Sequence, residues 1–168
     1  FRDLVAKEAK ARGSIFPSSA DEACVRRLIR SRHDQNLIAE LLQSRDQALT
    51  PRMLHNAAIV GNAPLCSTAL ARESDTIVSN EDRWCMLALA LRHGQQKIAS
   101  LILDQLGDED DISALIDFRL NAGVAGTAFS GASLLHVAAC CSSMVGYLRL
   151  LCGIGLSVDA QDDFGYSA

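Results

Sequence analysis

Apolar residues recur along the second half of the chain in short bursts spaced three and four apart, the period of a helix with one buried face. Met53, Leu54, Ala57 and Ala58 make the first burst, ended by Gly61, and Leu65, Thr68, Ala69 and Leu70 the next. Met86, Leu87, Ala90 and Leu91 end at Gly94 and give way to Ile98, Leu101, Ile102 and Leu103. Leu134, Leu135, Ala138 and Ala139 are followed by Val145, Leu148, Leu150 and Leu151. The pattern predicts helices in pairs, broken at Gly61-Asn62 and Gly94-Gln95, where glycine takes the left-handed conformation that ends a helix. The third pair has Ser142-Ser143 at that break, which predicts an altered exit angle.

The bursts are also copies of one another. Leu54-His55-Asn56-Ala57-Ala58 and Leu135-His136-Val137-Ala138-Ala139 share the text L-H-x-A-A, and Leu87 to Leu91 repeats its outline. Leu54 to Leu87 is 33 residues, and Leu87 to Leu135 is 48, one period plus a 15-residue insertion. Gly165-Tyr166-Ser167-Ala168 repeats Gly131-Ala132-Ser133-Leu134 after 34 residues, so a fourth copy starts at the end of the sequence. Its interruption there, and a first residue that is not Met, make the chain read as an excerpt of something longer.

These residues resemble the ankyrin repeat over about 120 residues, from Leu49 to the end. Gly131, Ser133, Leu135, His136, Ala138, Ala139, Leu150-Leu151, Gly155 and Val158-Asp159-Ala160 follow its pattern best, while the second copy departs with Arg83, Cys85 and Ala88 in place of Gly, Thr and His. The resemblance implies an all-α solenoid of stacked helix-turn-helix units joined by short hairpins. It divides the chain into a helical N-terminal cap or degenerate repeat (1–48), units at 49–80, 81–128 and 129–162, and a truncated unit from 163 to 168. No such unit buries both its apolar faces alone, so the units must stack. A helical array of the HEAT kind, lacking the hairpin near Arg83-Trp84, is the rival fold. In the family His55 and His136 would bond backbone groups of adjoining turns.

Function by resemblance is non-catalytic binding of a protein or peptide, or of another segment of the same parent, on a concave surface. Residue by residue, the hairpin positions become Pro51, Glu81, Asp82, Trp84, Phe129, Ser130, Ala132, Asp163, Phe164 and Tyr166. The helix-end positions become Ile59 and Val60, Arg92 and His93, Cys140 and Cys141. Trp84, Tyr166 and Arg92 are residue types enriched at binding hot spots, which favours an interface role for Trp84 over the alternative of a core position.

Asp108-Glu109-Asp110-Asp111 lacks the spaced ligands and glycine of a calcium loop and reads as a solvated loop leading into a helix from Ile112 to Leu120. His136, Cys140, Cys141 and Cys152 lack the paired spacing of a structural zinc module, and the apolar helix offers no base to activate a thiol. No phosphate loop or nucleophile motif occurs, so neither catalysis nor a cofactor is expected. Arg26, Arg27, Arg30 and Arg32, with His33 and Arg45, are the only basic concentration, diluted by Asp21, Glu22 and Asp34 and without aromatic residues for stacking on bases.

Composition agrees. With 16 basic against 20 acidic side chains the net charge is -4, which disfavours a nucleic-acid module. Hydrophobic residues make up 49% and prolines number 3, as in a helix-rich chain with a core. Residues 85–168 hold 4 basic and 9 acidic side chains, so the C-terminal half is the acidic one. The longest uncharged stretch, Leu120 to Leu148, is too polar and glycine-broken for a membrane span. Six unpaired-looking cysteines and the absence of a visible signal favour a reducing, intracellular setting in cytoplasm or nucleus. A rigid spacer within a larger protein is the structural alternative.

Overall fold

The computed structural model describes residues 50–71, 78–121 and 129–168. The expected cap or degenerate repeat at 1–48, with Cys24 and the Arg26–Arg32 cluster, falls outside them. Among the described residues the architecture is all-helical; the one β feature is an isolated antiparallel bridge between Gln161 and Ser167. None of their helices is long and apolar enough to cross a membrane.

The first pair is α1 (Pro51–Val60) and α2 (Ala63–Leu70). Thr50 caps α1 by accepting from the Met53 amide, and Pro51 fits at its start because the first turn has no use for that N–H. Gly61, at φ 85°, ends it and donates to the Ala57 carbonyl. Asn62 then caps α2 through its side-chain oxygen, 3.1 Å from the Leu65 nitrogen. The second pair is α3 (Asn80–Arg92) and α4 (Gln96–Leu103), separated by Gly94 at φ 70°. Both glycine breaks therefore lie where the sequence puts them.

A further helix, α5 (Glu109–Asp117), occupies the insertion. It begins three residues before the predicted Ile112, because Asp108 accepts from the Asp111 amide and the acidic run stands in the first turn, where the helix dipole favours negative charge. The Asp108–Asp111 run is thus a helix start. Arg83 reaches Asp111 at 3.5 Å and ties α5 to α3.

The third pair is α6 (Leu134–Ala139) and α7 (Val145–Ile154), joined through extended Cys141 and a 3-10 turn at Ser142–Met144. Lacking a glycine, this break takes a different route, as its sequence predicts. The turn also resets the phase of α7. Met144, Leu148 and Leu151 make the inward stripe, while Val145 and Leu150, which the sequence pattern turns inward, are exposed.

Helix α3 packs between α1 and α6, and α2 packs on α4, so the first helices form one layer and the second helices another. Tyr147 of α7 carries the second layer on, donating to the Gln96 carbonyl at 2.8 Å and meeting the Ser100 hydroxyl at 2.7 Å. Ala57, Ala58, Ala90 and Ala138 are fully buried where the layers touch, and such small side chains allow close approach. Ala139, the partner of Ala138 in the repeated text, is exposed.

Candidate binding surface

The breaks after the three first helices abut. The Gln95 side-chain amide lies against the Gly61 backbone, where any Cβ would collide with it, and Gln95 Nε2 donates to the Ile59 carbonyl at 3.0 Å. On the other side a Cβ on Gly94 would stand 3.0 Å from Ser143 Oγ and 3.8 Å from Cys141 Sγ, and Gln96 Nε2 donates to the Ser143 carbonyl at 3.0 Å. These contacts place Ile59-Val60, Arg92-His93 and Cys140-Cys141 side by side along one edge. Ile59, Val60 and Cys141 are half-buried; Arg92, His93 and Cys140 are exposed. Partial desolvation and the Arg92 charge beside it lower the pKa of the His93 imidazole from its usual value.

The turn before α6 supplies a second group. Phe129 is half-buried with the Arg92 guanidinium 4.9 Å from its ring centroid, a cation–π contact that fixes Arg92 over the ring. Ser130 Oγ donates to Asp163 at 2.6 Å, and the Asp163 amide donates to the Ser130 carbonyl at 3.2 Å, so two turns 33 residues apart are bonded to each other. Asp162 folds the second turn by accepting from the amides of Phe164 and Tyr166, both at 2.9 Å, with Gly165 at φ 82° between them. The Phe164 and Tyr166 side chains are left 58% and 70% exposed.

His136 holds this turn to α6. Its Nδ1 accepts from the Ser133 amide at 3.2 Å and lies 2.8 Å from Ser133 Oγ. The proton is therefore on Nε2, which donates to the Tyr166 carbonyl at 2.9 Å. Both ring nitrogens are occupied, and a metal on this imidazole would have to break a bond. Among the described residues no group of His, Cys, Asp or Glu is arranged to hold a metal ion. Cys66 and Cys85 are buried, which pushes their thiols up to about 12 and keeps them protonated.

Four of the expected contact positions, Trp84, Asp82, Pro51 and Ala132, lie elsewhere. Trp84 is 2% exposed in the second turn of α3, within a run from Trp84 to Leu91 that is buried throughout. It belongs to the core because the expected hairpin at Glu81, Asp82 and Trp84 does not form. Ser79 accepts from the Asp82 amide and donates to its carboxylate at 2.7 Å, and this cap starts α3 at Asn80. Asp82 is accordingly a helix-start residue facing His55. Pro51 is the first residue of α1, and Ala132 is buried, its carbonyl accepting from the Leu120 amide at 2.9 Å. Gln95 and Gln96, which stitch the edge, carried no sequence signal beyond following a glycine.

No family model, no curated protein and no solved structure matches this chain.

Proposed function

We propose that the chain is an ankyrin-like repeat array that binds a protein or peptide, without catalysis, on the surface made by Ile59, Val60, Arg92, His93, Phe129, Cys140, Cys141, Phe164 and Tyr166. The partner is a separate polypeptide or another segment of the same parent, and the 163–168 turn is the start of a fourth unit. The observation that carries the reading is the bonded pair of turns at Ser130 and Asp163, which presents two large aromatic side chains to solvent beside the Arg92–Phe129 stack. Exposed aromatic side chains gathered with arginine are the composition of interfaces. The bond from His136 to the Tyr166 carbonyl supports the ankyrin assignment at this junction. Uninterrupted helix at Arg83-Trp84 lacks the hairpin expected at these two residues, which is the feature that favours the HEAT-like reading there.

A photo-crosslinking residue placed at position 164 is expected to capture a defined polypeptide from cell extract, whereas one at exposed Cys152 captures none. Equal capture at both positions, or none at either, would reject the surface.

A further inference from the structure

His136 and His55 occupy the same place in their repeated texts and meet opposite fates. His136 finds the carbonyl of Tyr166, 30 residues on. Thirty residues after His55 is Cys85, which lies inside α3, where carbonyl groups are committed to the helix. The early start of α3 thus removes the acceptor that the imidazole of α1 would have used. His55 Nε2 is buried without a hydrogen-bond partner, and the Asp82 carboxylate stands 3.8 Å from it, too far for a bond to the neutral ring.

We infer that His55 and Asp82 form a proton-sensitive joint between the first two helix pairs. Among the described residues, Asp82 is the charged group that bears on the ring, with Glu81 exposed beside it. Helix α2 contributes no charged side chain, and its Cys66, like Cys85 of α3, stays protonated through the relevant range. Arg52, one turn earlier on α1, is exposed. Burial lowers the His55 pKa below 6.5 and Asp82 opposes that shift without cancelling it. The folded joint then binds fewer protons than the unfolded chain. Its stability is complete above pH 6.5 and is lost as pH falls from there through the lowered folded value.

The test is a proton NMR titration of the histidine ring signals in the whole chain, with His55→Gln supplying the assignment. His55 is expected to titrate below 6.5, and Asp82→Asn is expected to reduce its proton affinity a further threefold or more, about half a pH unit. Ser79→Ala, which disturbs the same helix cap but keeps the charge, is expected to leave the titration in place. Relative to the intrinsic rate, which itself falls with pH, amide exchange in α1 is expected to lose protection between pH 7 and 5 while that of α6 does not. A His55 titration unmoved by Asp82→Asn would overturn the joint. So would equal acid sensitivity of α1 exchange in the parent chain and His55→Gln, a comparison that needs no folded Asp82 variant.

Discussion

Trp84 is enclosed by its neighbours, yet its indole N–H is buried with no acceptor. The ring contributes through apolar contact and the N–H subtracts from that, so the two parts separate by substitution. Trp84→Ala should cost about 3–5 kcal/mol in a urea denaturation experiment. Trp84→Phe should cost much less, because it removes an unpaired polar group worth about 1–3 kcal/mol along with the lost area. Gly61 is a second position where one atom decides. Its φ of 85° and the amide of Gln95 against its Cα leave no room for a side chain. Gly61→Ala should lower stability by at least about 1–2 kcal/mol from the left-handed backbone alone, read as a fall in midpoint at unchanged slope.

Elements were legible in the sequence where burial follows a helical period and a glycine ends the run. The stripes of α1, α2 and α4 and both glycine breaks were readable for that reason, whereas α3 is buried all round from Trp84 to Leu91. The start of α3 was not, because Ser79, Glu81 and Asp82 are equally suited to a hairpin tip and to the helix cap they form. The outward turn of Val145 and Leu150 was hidden too, since the 3-10 turn that resets the phase has no strong residue signature. The clamp between α6 and the 161–167 turn is legible through His136, whereas the same text at His55 finds no backbone partner. His136→Ala leaves the Ser133 amide and the Tyr166 carbonyl without their partners. It should cost about 1–3 kcal/mol and speed amide exchange at Gly165 and Tyr166 more than in α1.

On the scale of the molecule, candidate contact residues divided by whether their helix layer covers them. Those at the helix ends and in the Phe129–Tyr166 turns stay accessible, whereas Trp84 sits where α3 is enclosed on all sides. Residue type alone could not separate Trp84 from Tyr166. Tyr166 is 70% exposed, and its backbone, not its ring, bonds His136. Tyr166→Ala should therefore leave thermal stability within about 0.5 kcal/mol of the parent chain. It should weaken partner binding by about 2 kcal/mol, near thirtyfold, in a titration calorimeter. Loss of stability in step with binding would place the ring in the scaffold.

The stitches along the edge attach to main chain at one end: Gln95 to the carbonyl of Ile59, Gln96 to that of Ser143. Such anchors are indifferent to which side chains stand at 59, 60, 92, 93, 140 and 141. The gauge of the scaffold is set independently of its palette, so the preference for a given ligand can be rewritten, by mutation or by design, with the frame left as it is.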